Sequence, residues 1–189
     1  MISTRFANLV IDTADILASA ETPDGRWWAI NRVARMLGAN AVNAGAFERD
    51  TREVAWVRSS MDPGWLELYA QADFHEVDPL LHDILTGTRA SHYDFATLER
   101  GLPSASRETQ LMNVVREYDY NYMIAHTWFE GNAGKGVALS CVDDPRSMFG
   151  RGTDRAFSAV SAMMALALLP PGDELHEGWA YGARWQGLT

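Results

Sequence analysis

Three side chains with complementary hydrogen-bonding chemistry follow one another in a short part of the chain. Trp65 and Tyr69 are four residues apart and therefore share one face of a helix, and Asp78 follows Tyr69 by nine residues. An indole N–H only donates a hydrogen bond, a phenol donates and accepts, and an ionised carboxylate only accepts. In a mostly apolar pocket this set predicts recognition of a small neutral ligand, with Asp78 accepting an amide N–H.

Each of these residues also has a purely structural interpretation. Leu68 and Ala72 continue the helical stripe that begins at Trp65 and Tyr69, and such a stripe is typical of a core. An Asp followed by Pro is a common start of a helix, so capping alone accounts for Asp78. Both interpretations stay open at this level.

The joint spacing resembles the autoinducer-binding domain of LuxR-type quorum-sensing regulators. That family carries Trp-x3-Tyr-x8-Asp-Pro, followed by a second aromatic residue, normally Trp, at the position of Tyr93. The resemblance implies that the ligand is an acyl-homoserine lactone or a similar amphipathic signal. Trp65 would then donate to the lactone carbonyl, Asp78 would accept the amide N–H, and Tyr69 would line the acyl chain. Tyr93 would face the lactone ring, and Ser140 would reach the acyl carbonyl or Asp78.

Three positions depart from the family pattern. Met61 stands where many members have a Tyr that binds the ligand, Tyr93 replaces the usual Trp, and Met123 stands near an expected Gly. A methionine in place of a glycine narrows a pocket. These departures keep a second interpretation open, a ligand-free dimerisation or anti-activator module with a filled core. The candidate binding residues are Trp65, Tyr69, Asp78, Tyr93, Ser140, Met61 and Met123.

The hydrophobic periodicity and the turn residues predict an alternation of helices and hairpins. The predicted helices are residues 3–20, 27–37, one from Asp62-Pro63, 80–85, one from about residue 104 and one over 157–168. The predicted strands are residues 41–47, 53–57, 90–95, 122–129 and 136–142. This order predicts an α+β fold, an α-β-α sandwich with a central antiparallel sheet (GAF/PAS-like) and helices on both faces. Residues 1–170 are predicted to form the sensor domain and residues 171–189 a polar C-terminal tail.

Charge and cysteine usage restrict the partners and the compartment. The net charge is −9 and the pI is about 4.9. Lys135 is the only lysine and the arginines are scattered without a cluster, so no cationic face is predicted for DNA or for an anionic membrane. Cys141 is the only cysteine, which fits a reducing compartment. No signal peptide and no spanning apolar stretch is evident. We therefore predict a cytoplasmic protein that does not bind DNA directly.

No arrangement typical of catalysis is evident, so neither enzymatic activity nor a cofactor is predicted. His75 and Glu76 lack the spacing of a helical zinc site, and residues 131–136 lack the full pattern of a phosphate-binding loop. Residues 172–189 hold no pattern of a helix-turn-helix domain. The chain is therefore predicted to be a standalone or truncated regulator that acts through protein contacts, as a homodimer or as a heterodimer with a full-length regulator.

Overall fold

The computed structural model describes residues 4–86 and 91–170, and its centre is a five-stranded antiparallel sheet. The strands are β1 (Ala39–Glu48), β2 (Val54–Ser59), β3 (Ser91–Asp94), β4 (Tyr122–Glu130) and β5 (Ala133–Cys141). Their order across the sheet is β2-β1-β5-β4-β3. The two hairpins, β1–β2 and β4–β5, therefore meet in the middle through the antiparallel pairing of β1 with β5.

Helices precede, separate and follow these strands. They are α1 (Thr4–Ala18), α2 (Pro23–Met36), α3 (Pro63–Gln71), α4 (Pro79–Thr86), α5 (Phe95–Glu99), α6 (Arg107–Glu117), α7 (Arg146–Phe149) and α8 (Thr153–Ala167), with single 3-10 turns at Phe74–Glu76 and Gly150–Gly152. Local sequence sets where several of them begin. The side chains of Thr22, Asp62 and Ser106 accept hydrogen bonds from the first free N–H groups of α2, α3 and α6.

The sheet separates two hydrophobic cores, as the predicted sandwich requires. On one face α2 and α8 pack on the sheet and α1 packs on these two helices, and we call this side the first core. On the other face α3, α4, α5 and α6 pack on it, and we call this side the second core. Successive strand residues point to opposite faces. Val137 and Leu139 of β5 accordingly enter the first core, whereas Ala138 between them enters the second.

Several predicted boundaries differ from the structure. Phe95, predicted to end the third strand, instead begins α5, because the Asp94 carboxylate accepts the backbone N–H of Thr97 and caps a helix there. The helix predicted from about residue 104 begins at Arg107, after the Ser106 cap. The short helices α5 and α7 were not predicted from periodicity, because four or five residues are too few to display it. The predicted start at residue 3 and the tail at 171–189 lie outside the described residues.

The single cysteine is inaccessible. Cys141 ends β5 inside the first core with 1% of its surface exposed. Burial, together with the nearby carboxylates of Asp144 and Asp143, raises the pKa of its thiol to about 12. The thiol is thus protonated and unreactive at neutral pH.

In residues 4–86 and 91–170 no helix is long and apolar enough to cross a membrane.

Candidate functional site

Five of the seven predicted site residues surround one cavity. It has a volume of about 140 Å³ and lies between the sheet and the helices α3 and α4. We call it the first cavity, and its predicted members are Met61, Trp65, Tyr69, Asp78 and Met123. The rest of the wall is mostly aliphatic, so polar groups in it are few. This composition is that of a site for a largely apolar ligand whose orientation is fixed by a small number of hydrogen bonds.

The Asp78 carboxylate is both a helix cap and part of the cavity wall. Its Oδ1 accepts the backbone N–H of Leu80 at 2.8 Å and that of Leu81 at 3.3 Å, which caps α4. Its Oδ2 accepts the hydroxyl of Tyr69 at 2.8 Å. A carboxylate has about four acceptor positions, and these bonds use three of them. The structural and the ligand-binding interpretations of Asp78 are therefore compatible.

The environment of Asp78 makes its charge costly. Burial raises the pKa of the Asp78 carboxyl above its ordinary value, and the hydrogen bonds from Tyr69, Leu80 and Leu81 oppose that rise. A further donor that faces the ionised form would lower its free energy in this apolar wall. A ligand N–H group that donates to Asp78 would therefore stabilise the complex.

Trp65 supplies a donor. Its side chain is 3% exposed, and its ring lies 5.6 Å from that of Tyr69, 5.8 Å from Tyr118 and 6.0 Å from Tyr120, measured between centroids. Among the described residues its indole N–H has no hydrogen-bond partner. A buried indole N–H usually has one. This aromatic cluster therefore holds an unused donor in the wall of the cavity.

The two methionines narrow the cavity. Met61 and Met123 are 6% and 4% exposed, and the Met61 sulfur accepts a hydrogen bond from the Asn43 amide at 3.0 Å. The resulting volume is below the roughly 300–1,000 Å³ of pockets for drug-sized ligands. Methionine is unbranched and adapts its shape readily. A ligand that fills this site must therefore be small or must displace these side chains.

Tyr93 and Ser140 lie on the second-core face of the sheet but not in the wall of the first cavity as described. The Tyr93 hydroxyl donates to Oδ2 of Asp83, which ties β3 to α4. Ser140 pairs with Met123 across β4 and β5 and is fully buried, and its hydroxyl has no hydrogen-bond partner in the described structure. Ser140 is thus a buried polar group beside Met123, which belongs to the cavity wall.

The sequence analysis missed Asn43 and Ile84. Asn43 on β1 is a wall residue, and the signal for it was a polar side chain within the apolar stretch 41–47, alternating with Ala41 and Gly45. Ile84 on α4 is also in the wall. No local signal distinguishes Ile84 from an ordinary core residue, because its role depends on what lies opposite.

A second cavity of about 100 Å³ adjoins the first. Asn43, Val57, Leu81 and Ile84 belong to the walls of both.

Within residues 4–86 and 91–170 no group of three or more His, Cys, Asp or Glu side chains could hold a metal ion.

The family is established by the match of a family model along most of the chain. The autoinducer binding domain family matches residues 22–166. The chain belongs to this family. It is an autoinducer-binding domain of LuxR-family quorum-sensing regulators, a regulatory and not an enzymatic family, and the resemblance seen in the sequence is confirmed. No curated protein matches the chain by sequence.

Solved structures share the fold of this autoinducer-binding domain at low sequence identity. CepR2 of Burkholderia cenocepacia, an N-acylhomoserine lactone dependent LuxR family transcription factor, is 15% identical with a TM-score of 0.64, over 87% of this chain and 93% of that one. SdiA in complex with octanoyl-rac-glycerol is 12% identical with a TM-score of 0.57, over 91% and 72%. Residues 1–171 of Escherichia coli SdiA are 11% identical with a TM-score of 0.60, over 86% and 91%. These likenesses concern the fold alone.

Proposed function

We propose that this domain binds a small neutral amphipathic signal of the acyl-homoserine lactone type in the first cavity. The observation that carries the proposal is a pair of unused hydrogen-bonding positions in an apolar wall. They are the indole N–H of Trp65 and the fourth acceptor position of the Asp78 carboxylate. An acyl-homoserine lactone offers carbonyl oxygens to the first and an amide N–H to the second.

Related proteins support this ligand class. CepR2 is described as N-acylhomoserine lactone dependent, and SdiA has been solved with an octanoyl glycerol ester. Both ligands join a compact polar end to an apolar chain. In this chain the remaining acceptor position of Asp78 suits the amide N–H of a lactone, and it would also accept a hydroxyl of a glycerol ester.

The expected contribution of Asp78 follows from its charge. A hydrogen bond to a charged group is worth roughly 1.5–3 kcal/mol, which corresponds to about ten- to a hundredfold in affinity. Asp78→Asn keeps the cap of α4, because Asn and Asp are near-equivalent N-caps. The amide oxygen of the variant would then face Leu80 and Leu81, so its NH2 group would face Tyr69 and the ligand N–H.

The test is to titrate the wild type and Asp78→Asn with acyl-homoserine lactones of varied chain length. Thermal shift measures the change in melting temperature, and calorimetry measures the affinity. We expect ligand to raise the wild-type melting temperature and the variant to bind ten- to a hundredfold more weakly. A matched control is Asp62→Asn. Asp62 caps α3 in the same way, by accepting the N–H of Gly64 at 2.8 Å, but is not in the cavity wall. Its affinity should equal that of the wild type.

The narrow cavity favours a second candidate function, a ligand-free dimerisation or anti-activator module. Met61 and Met123 leave about 140 Å³, which in this interpretation is a packing defect of a filled core. The two functions differ in the titration above. If no lactone raises the wild-type melting temperature and Asp78→Asn changes only the melting curve, the lactone proposal is wrong and the ligand-free module is favoured.

In either case the domain would act through protein contacts. We propose a homodimer or a heterodimer with a full-length regulator, because symmetric pairs are the commonest assemblies of soluble proteins. Sedimentation velocity of the chain, alone and mixed with a full-length LuxR-type regulator, would test this. A monomer at high micromolar concentration in both conditions would contradict it.

A further inference from the structure

The two adjoining cavities differ in chemistry. The first contains the polar groups of Trp65, Tyr69 and Asp78. The second extends along β1 from Asn43 to Phe47, a length of roughly 14 Å for four steps of an antiparallel strand. Its wall is aliphatic and aromatic apart from Asn43, and it contains no charged side chain. Its wall therefore suits hydrocarbon.

On the sheet side, the second cavity is lined by two glycines that lie opposite each other, and we call this pair the glycine floor. Gly45 on β1 pairs directly with Gly136 on β5, and both belong to the wall. At Gly45 a Cβ would lie 2.6 Å from the carbonyl oxygen of Trp56, so the close approach of β2 accounts for that glycine. At Gly136 the nearest atom to a Cβ is different. It is Cγ2 of Ile84, at 2.8 Å.

Ile84 therefore stands directly on the glycine floor at the junction of the two cavities. Its helix is held in place at both ends. Asp78 caps the start of α4, and near its end the Thr127 hydroxyl donates to the carbonyl oxygen of Ile84 at 2.9 Å. A β-branched side chain on a fixed backbone has few alternative rotamers. Ile84 is thus a fixed partition, unlike the adaptable methionines of the first cavity.

We propose that Ile84 sets the maximum length of the apolar chain that this domain accepts. The inference rests on the proposed function in taking the polar end of the ligand to lie at Asp78. A chain that grows from that end toward β1 reaches the partition before it reaches the second cavity. Short chains fit in the first cavity, and longer ones meet Ile84.

Ile84→Ala should join the two cavities. In the wild type, affinity should stop rising with chain length once the chain reaches the partition. In Ile84→Ala, each further methylene should raise affinity roughly fourfold until the second cavity is full, because a buried CH2 is worth about 0.8 kcal/mol. The measurement is calorimetric affinity against chain length. Ile84→Val is the milder variant if the alanine variant fails to fold, and it should extend the limit by less.

Leu85→Ala is the matched control. Leu85 is the neighbouring residue of α4, has the same number of side-chain carbons, and lines the second cavity but not the first. Leu85→Ala enlarges the second cavity but keeps Ile84 between the two cavities, so the longest chain accepted should be the same as in the wild type. An equal shift in Leu85→Ala would contradict the inference.

A second ligand series separates this inference from the proposed function. Unbranched 1-alkanols carry neither an amide nor a lactone, and their binding is followed by methyl NMR shifts in the same variants. If lactones fail but alkanols show a length limit that Ile84→Ala removes, the lactone proposal is wrong and the partition stands. If either series binds and affinity depends on chain length in the same way in the wild type and in Ile84→Ala, the inference about Ile84 is wrong. If neither series binds, both proposals are wrong.

Discussion

The two faces of one sheet are built for different purposes. In the first core most of the completely buried hydrophobic residues are aliphatic, namely Ile30, Val33, Val42, Val137 and Val160, and Met164 joins them. The second core contains the cluster of Trp65, tyrosines and methionines, and both cavities lie on its side. A sheet with helices on both faces can thus stabilise the fold with one side and leave space for a ligand on the other.

Strand β5 shows how the sequence makes this difference. Its residues facing the second core are all small, namely Gly134, Gly136, Ala138 and Ser140. The residues between them are larger and face the other side. The space near β5 on the second-core face thus results from the absence of side-chain volume on one face of a strand.

The largest expected effect is on the first core. Phe157→Ala should lower the free energy of unfolding by about 3–5 kcal/mol, because Phe157 is 2% exposed and its removal leaves a cavity. Ligand affinity, measured per folded molecule, should not change. Denaturant unfolding and calorimetry check the two quantities. A large loss of affinity in the folded variant would show that the two faces are coupled.

The next effect is the pH dependence at Asp78. Because burial raises its folded pKa above the ordinary 3.8, the folded protein takes up this proton first as the pH falls. Ligand affinity should then fall by up to the loss seen in Asp78→Asn, while the affinity of that variant stays nearly constant. The free energy of unfolding without ligand should change in the opposite direction. As the pH falls from the raised pKa to 3.8, this free energy should rise in the wild type relative to Asp78→Asn. Parallel changes in both quantities would contradict the assignment.

Trp65→Phe should have a smaller effect, because it removes the indole donor and keeps an aromatic ring. We expect a two- to tenfold loss of lactone affinity, the equivalent of one neutral hydrogen bond of about 0.5–1.5 kcal/mol. Trp27→Phe is the control, since Trp27 packs against the first core and should leave affinity unchanged. Equal losses in both variants would mean that ring size, not the N–H, matters.

The smallest effect concerns His126, which faces the first core. Its ring stacks on Trp128 at 4.2 Å, and burial lowers its pKa below 6.5. The unfolded chain therefore takes up this proton first, so wild-type stability relative to His126→Gln should fall as the pH drops below 6.5. Melting temperatures from about pH 8 to about pH 5 measure it. A difference that does not change with pH would contradict the lowered pKa.

Much of the fold follows from local signals in the sequence. The strands were visible from hydrophobic patterning, and Asp62-Pro63 and Asp78-Pro79 marked the starts of α3 and α4. Of the five predicted residues in the wall of the first cavity, Met61 and Met123 were named as departures from the family pattern. Trp65, Tyr69 and Asp78 were found by joint spacing, since they lie within fourteen positions of one another. Local geometry was therefore enough for that part of the wall.

The rest depends on contacts between distant segments. Tyr93 fits the spacing, yet its hydroxyl is used by Asp83 on another element, which no spacing within β3 predicts. The role of Ile84 depends on the pairing of Gly45 with Gly136, residues ninety-one positions apart in the chain. A partition between two cavities is a property of packing, and a single sequence does not encode it in any local pattern.

The buried thiol of Cys141 makes the chain convenient for labelling. Since the only cysteine has a pKa of about 12 and 1% exposure, a maleimide reagent will leave the native protein unmodified. A cysteine introduced at the exposed Trp28 of α2 would then carry a single fluorophore without any background mutation. Attached there, on the opposite side of the sheet from both cavities, the dye could report association of chains without touching the ligand.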